Sequence, residues 1–225
     1  MSLTNEDNME LMKRYPDDYF DLAIVDPPYG ISAPNMKMGE HKSYKSTATK
    51  IKGRLNSGSG KLKNRLLNKS KIDWDNEIPT PEYFQELFRV SKNQIIFGGN
   101  YFPLPPTRGI IFWDKLQPWD NFSQFELAWT SFDKPAAKIA ISTTGGNNKE
   151  KKIHPTQKPV DLYKWILDKY AKVGDKILDT HLGSGSIAIA CYDYGFEFTA
   201  CEIDKKYYND AIERIEKNKK QLKLF

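Results

Sequence analysis

Between Lys176 and Asp204 the chain reads strand, glycine loop, helix, strand, acid, and this succession limits the folds open to it. Lys176-Ile-Leu-Asp179 is a short apolar strand, and Thr180-His-Leu-Gly183-Ser-Gly185-Ser186 turns it into a helix expected over Ser184 to Tyr194. Glu197 to Cys201 forms a second strand, which runs into Glu202-Ile203-Asp204. A turn this tight, packed against a ligand, needs residues without a Cβ. The helix that follows offers free N–H groups and a positive dipole end to an anion. The spacing is Gly-x-Gly, without the third glycine of a dinucleotide fingerprint or the Gly-Lys-Ser/Thr of a P-loop. An acid at the end of the second strand, about 20 residues on, can bind ribose hydroxyls. Gly183 and Gly185 alone suit an ordinary βα turn equally well. With Glu202 in place they favour a nucleoside-type cofactor.

The rest of the chain repeats the same alternation. Strands are expected at Asp21–Val25, Gln94–Phe97, Gly109–Trp113 and Phe125–Thr130, and helices at Pro81–Ser91, Val160–Tyr170 and Asp204–Lys219. The helix at Pro81 places Tyr83, Phe84, Leu87 and Phe88 inward; the last helix does so with Tyr207, Tyr208, Ala211, Ile212 and Ile215. Strands alternating with helices predict an α/β fold with a parallel or mixed sheet covered on both faces. At 225 residues this suits a single domain, residues 1–225.

Charge is unevenly spread. From Ile31 to Lys71 eleven lysines and arginines face one acid, Glu40, whereas the rest of the chain holds 23 cations and 28 acids. Residues 31–75 are expected to be a mobile basic insertion on an acidic body, suited to a polyanion through counterion release. A solvated linker would have the same composition. Cys191 and Cys201 sit in apolar or mixed stretches with no Cys-x-x-Cys, so neither a zinc site nor any other metal is expected. No apolar run approaches the ~18 residues of a membrane span. The opening Met-Ser-Leu-Thr-Asn-Glu-Asp lacks the basic and apolar regions of a secretory leader, so a cytoplasmic protein with reduced thiols is expected.

The strand at Asp21 runs directly into Asp26-Pro27-Pro28-Tyr29-Gly30. These residues suit chemistry on an exocyclic aromatic amine, whose lone pair is delocalised into its ring. Hydrogen bonds accepted from both N–H groups in a tetrahedral arrangement draw that lone pair out. Asp26 offers a carboxylate for one, and the carbonyl of Pro27 or Pro28 offers the other, on backbone that proline stiffens without adding a donor. Tyr29 offers a flat face to an unstacked base. A strand-ending turn with an exposed tyrosine would also account for these four residues alone.

Taken together, the motifs resemble those of the amino-methylating (N6-adenine/N4-cytosine) DNA methyltransferases. The order resembles the permuted group, in which the catalytic tetrapeptide, here Asp26 to Tyr29, precedes the cofactor loop, here Asp179 to Ser186. His154-Pro-Thr-Gln-Lys158-Pro159, Gly98-Gly-Asn-Tyr-Phe102 and the stretch Phe125–Phe132 are similar to further family segments. The resemblance implies a Rossmann-like S-adenosylmethionine-dependent methyltransferase fold, doubly wound and mostly parallel, with a reversed edge strand. It implies catalysis by Asp26, Pro27, Pro28 and Tyr29. It implies S-adenosylmethionine held by Asp7, Asn8, Lys158, Asp179, Gly183, Ser184, Gly185, Ser186 and Glu202. Two positions depart from the family loop, Thr180 for Pro and His181 for Phe; a neutral histidine can pack like an aromatic. Implied partners are double-stranded DNA and, in restriction–modification systems, an endonuclease or a second copy of the chain, with no membrane.

Asp at the first tetrapeptide position favours adenine N6, since the cytosine branch usually carries Ser there. The nearest alternatives are an N4-cytosine or an RNA amino-methyltransferase and, from another class, a non-catalytic DNA-binding subunit on the same fold. Ring-carbon methylation of cytosine needs a Pro-Cys nucleophile, and both cysteines here follow alanine. Ile31–Lys71 and Pro103–Trp119 are the candidate segments for reading bases, without an evident helix for the groove; Trp113, Trp119 and Trp129 are read as core or rim residues.

Overall fold

The apolar runs of the sequence assemble into one eight-stranded sheet in the computed structural model, which describes residues 1–32, 37–38, 65–66, 75–116, 123–143 and 152–221. In chain order the elements are β1 (Ser2–Thr4), α1 (Asn8–Met12), β2 (Leu22–Val25), a two-residue ladder of β3 (Lys37–Met38) with β4 (Arg65–Leu66), α2 (Pro81–Val90) and β5 (Gln94–Phe97). There follow a 3-10 turn (Gly99–Tyr101), β6 (Ile110–Asp114), β7 (Phe125–Thr130), β8 (Ala137–Ala140), α3 (Val160–Tyr170), β9 (Lys176–Asp179), α4 (Ser186–Tyr194), β10 (Glu197–Cys201) and α5 (Lys205–Lys219). The rest of the basic 31–75 insertion, Trp119 and most of the loop expected at Asn147–Lys152 lie outside the described residues.

Strand order is β1-β10-β9-β2-β5-β7-β6-β8. All neighbours run parallel except β7, which is antiparallel to both β5 and β6. The fold is therefore the doubly wound, mostly parallel α/β sheet that the sequence implied, with one correction. The reversed strand is internal, between β5 and β6, and β8 forms the edge. The physical reason is local: β7, the next strand in the chain, pairs antiparallel with β6, while β8 crosses over to pair in parallel with the outer side of β6.

Alternation along the strands feeds two cores. Leu22 and Ile24 of β2, with Ile95 and Phe97 of β5, pack under α3 and α4 against Leu162, Ile166, Ile187 and Ala188. Ala23, Val25 and Ile96 face the other way, onto Leu11, Met12, Leu87 and Val90 of α1 and α2. Both faces of the central strands are thus buried, which explains why these strands read as continuous apolar runs rather than alternating ones. In α2, Tyr83, Phe84 and Leu87 are buried as expected, with Phe88 half-buried against Trp129. In α5 the buried stripe is Tyr207, Ala211 and Ile215, four residues apart, with Tyr208 and Ile212 flanking it. Trp113 is a core residue, its indole N–H donating to the carbonyl of Ile141 at 2.8 Å.

Helix α4 starts at Ser186, two residues later than expected. Gly183 (φ +52°) and Gly185 (φ +72°) both adopt left-handed backbone, which delays the helix and turns the loop out of β9. β2 and β9 are direct neighbours, with Ala23 opposite Leu178, and the strand order runs outward from them in opposite directions. Ligands bind at such a reversal, beyond the carboxyl ends of the strands. The two ends that meet there carry Asp26 and Asp179.

Candidate active site

β2 delivers Asp26 to the rim of a crevice of about 330 Å³. The loop that follows is fastened by a buried acid: one Asp75 carboxylate oxygen accepts from the backbone N–H of Tyr29 (2.6 Å) and of Gly30 (2.9 Å). The Tyr29 ring lies on Gly98, where a Cβ would come within 2.3 Å of it, so this contact admits no side chain. Tyr101 stacks on Tyr29, with ring centroids 5.0 Å apart and 11° between the planes. Asp26 and Pro28 line the crevice; Pro27 is buried behind them, and Tyr29 stands to the side.

Behind the tetrapeptide lies a cluster of buried charges that the sequence did not disclose. The Tyr29 hydroxyl lies 2.6 Å from Asp26 Oδ1 and 2.8 Å from Glu126 Oε1, and can donate to either. Lys158 Nζ pairs with Asp26 Oδ2 at 2.5 Å and with Glu126 Oε1 at 2.7 Å, and Lys115 holds the other Glu126 oxygen at 2.8 Å. The Lys158 side chain is only 3% exposed. A buried ammonium is tolerated only when paired, and here two carboxylates share it. Burial pushes the Asp26 carboxyl upward, with Glu126 adding to the rise and Lys158 opposing it. Burial also pushes Glu126 upward, but Lys158 and Lys115 outweigh that and hold it at about 2. Lys158 lines the crevice, yet its ammonium is turned to these two acids. The visible sign of Glu126 was a lone acid in an otherwise uncharged strand, Phe-Glu-Leu-Ala-Trp-Thr.

The opposite wall comes from the glycine loop and the end of β10. Glu202 Oε2 accepts from Gly183 N–H at 2.8 Å and Oε1 from Asp204 N–H at 2.9 Å; burial raises its pKa, and these hydrogen bonds oppose the rise. Asp179, at the end of β9, is buried and accepts from His181 N–H at 2.9 Å. Desolvation pushes its pKa up to about 8. Asp179 and Gly185 do not line the crevice: a Cβ on Gly185 would meet Ile215 of α5 at 3.0 Å. Gly183, Ser184 and Ser186 do line it. Arg214 ties two of them to α5, donating to the Ser184 carbonyl (2.7 Å) and to Ser186 Oγ (2.9 Å).

Asp7 and Asn8 close the crevice at the start of α1. Asp7 caps that helix by accepting from Met9 N–H, and Asn8 Nδ2 meets His181 Nε2 at 3.2 Å. Burial lowers the His181 pKa to about 3, so the ring is neutral, as the sequence led us to expect. His154, packed on Tyr207 at 4.3 Å, is lowered to about 3 in the same way. Sequence reasoning missed His154, Tyr207 and Ile203 as lining residues. Ile203 is 63% exposed although apolar, and its position directly after Glu202 was the available sign. The wall thus offers a carboxylate with remaining acceptor capacity, an exposed apolar side chain and a glycine turn permitting close approach. These residues fit a nucleoside-type cofactor.

The sequence profile of the N6/N4 DNA methylases, described as DNA methylase, matches residues 69–213. The chain belongs to that family. Among relatives, it is 28% identical over 153 residues to the type II methyltransferase M2.DpnII of Streptococcus pneumoniae, covering 68% of this chain and 52% of that protein. It is 23% identical to the type II methyltransferase M.BglII of Bacillus subtilis, covering 93% of this chain and 67% of the relative. The chain thus spans about half the length of M2.DpnII. The crystal structure of the M1.HpyAVI–SAM complex superimposes with a TM-score of 0.58 at 17% identity, covering 95% of this chain and 98% of that one, a likeness of fold. Among the described residues of this methylase-family chain, no helix is long and apolar enough to cross a membrane, and no group of three or more His, Cys, Asp or Glu is placed to hold a metal.

Proposed function

We propose that the protein is an S-adenosylmethionine-dependent DNA methyltransferase acting on the N6 amine of an adenine turned out of the duplex. The observation that supports this most is the shared crevice: Asp26, from the end of β2, and Gly183 and Glu202, from the β9 and β10 ends, line one cavity although more than 150 residues separate them in sequence.

Glu202 is assigned to the ribose hydroxyls. Each of its oxygens already accepts one backbone N–H and keeps capacity for another donor. Ile203, Asp7 and Asn8 are assigned to the cofactor's base, and Gly183, Ser184 and Ser186 to the side opposite, with Asp179 and Gly185 shaping the loop from behind. What S-adenosylmethionine supplies when bound is an electrophilic methyl group. Asp26 accepts one N–H of the target amine and the Pro27 or Pro28 carbonyl the other, so the nitrogen lone pair is directed out of conjugation. Tyr29 gives the base a flat neighbour. Catalysis then consists of positioning and fixed electrostatics. The basic 31–75 segment is assigned to the phosphate backbone of double-stranded DNA. Asp rather than Ser at position 26 supports adenine over cytosine.

Incubating the protein with labelled S-adenosylmethionine and duplex DNA, then separating the nucleosides by mass spectrometry, tests this reading. N6-methyladenine is the expected product. N4-methylcytosine alone overturns the choice of base, and cofactor binding without any label in DNA overturns the activity.

A further inference from the structure

Two donors near the tetrapeptide each stand between the same two carboxylates. The Tyr29 hydroxyl has one hydrogen and two acceptors within 2.8 Å, Asp26 Oδ1 and Glu126 Oε1. The Lys158 ammonium is shared by Asp26 Oδ2 and Glu126 Oε1 in the same way. Each Asp26 oxygen therefore has one protein donor within reach and keeps one further lone pair. If Asp26 is to accept a hydrogen from an incoming amine, as in the function proposed above, it accepts more strongly when these donors lean to the other carboxylate, since each donor it keeps draws on its negative charge. A buried ammonium cannot be left unpaired, and neither can a buried hydroxyl.

We propose that Glu126 is the positioning residue that takes over Tyr29 and Lys158 when Asp26 turns to the target amine. Its geometry suits this task. Oε1 already lies within hydrogen-bond distance of both donors, so the transfer needs no new contact and little motion. Oε2 is anchored by Lys115, which keeps Glu126 in place while Asp26 changes partners. The Phe97 ring centroid lies 4.5 Å from Nζ, and with its side chain buried Lys158 has little access to solvent. Glu126 does not line the crevice. The charged and titratable groups that face Asp26 are Tyr29 on its own loop, Lys158 ahead of α3, Glu126 on β7, Asp179 on β9, Tyr83 on α2 and Tyr163 on α3. Of the neighbours that act on Asp26 most strongly, Glu126 is the only acid.

The inference rests on the proposed methyl transfer, so the unaltered protein is measured first; absence of transfer there sinks that reading and not this one. With transfer established, Glu126→Gln is compared in single-turnover methylation from pH 5 to 9, beside its affinity for S-adenosylmethionine. The expected result is a rate lower by about ten- to a hundredfold, the loss of one charge-assisted partner, with cofactor affinity within about twofold of the parent. The acid limb of the profile should also move to lower pH, because Asp26 loses a like-charged neighbour and keeps Lys158 to itself. An unchanged rate, or a lower rate with the limb unmoved, overturns the proposal. Should Glu126→Gln fail to fold, Glu126→Asp serves: it retains the charge but withdraws the carboxylate by one methylene. It should lower the rate and leave the limb where it was, and a parental rate overturns the idea.

Discussion

Glu202 accepts the backbone N–H of Gly183 at 2.8 Å, so the acid that ends β10 is fastened to the loop that leaves β9. One carboxylate therefore shapes the glycine turn and presents its remaining lone pairs to the crevice. Glu202→Ala should weaken S-adenosylmethionine binding by about 1.5–3 kcal/mol, the usual range for hydrogen bonds to a charged acceptor. Isothermal titration checks this. An unchanged dissociation constant would leave Glu202 with the loop alone.

Asp26→Ala should separate chemistry from binding. A group whose interaction is strongest in the transition state lowers turnover when removed, by about a hundredfold for a single electrostatic contact. Cofactor affinity should stay close to the parent because Glu202, Gly183 and Ile203 are untouched. Retention of more than about a tenth of the parental turnover would remove Asp26 from its assigned role.

Gly98→Ala places a methyl 2.3 Å from the Tyr29 ring at a backbone φ of +68°. Both the clash and the left-handed conformation act against the variant, which should lose about 1–3 kcal/mol of stability. Tyr29 has to shift, and its hydroxyl with it, so methylation should fall more than cofactor binding does. Thermal unfolding and a side-by-side activity measurement test the two parts separately.

His154 and His181 make stability depend on pH. Both are held neutral by burial, with folded values of about 3 against 6.5 for an ordinary histidine. Between those limits the unfolded chain binds more protons at these two positions than the folded one. Their contribution is complete above pH 6.5 and is lost as the pH falls, at about 1.4 kcal/mol per pH unit for each ring. His181→Asn should make the stability profile between pH 6.5 and 5 shallower than that of the parent. Equal slopes in denaturant titrations would show that the ring takes up its proton in the folded state.

The residues that chemistry confines to one local pattern could be read directly from the chain. Asp26 to Tyr29, Gly183, Gly185 and Glu202 were legible because a stiffened backbone after a strand, a turn without Cβ atoms and an acid at a strand end are each written in consecutive residues. Helices α2 to α5 were legible for a similar reason, as the spacing of Tyr207, Ala211 and Ile215 shows, whereas the five-residue α1 was too short to carry a period. β1 and β8 were not, because three or four residues such as Ala-Lys-Ile-Ala carry too little pattern and become strands only when a neighbouring edge supplies their hydrogen bonds. The internal position of β7 likewise depends on which edges β5 and β6 leave open. The ion cluster was the least legible feature. Nothing near Glu126 in sequence marks it as the partner of Lys158 and Tyr29, since those partners arrive from α3's approach and from the end of β2. By itself the sequence pointed to the chemistry proposed for Asp26 and Glu202. Only the tertiary structure decided that β2, β9 and β10 lie side by side, bringing Asp26 and Glu202 to one crevice, and that the buried charge of Lys158 is shared between Asp26 and Glu126. Chain connectivity imposes local geometry, whereas contacts between distant residues follow from burying both faces of the sheet at once.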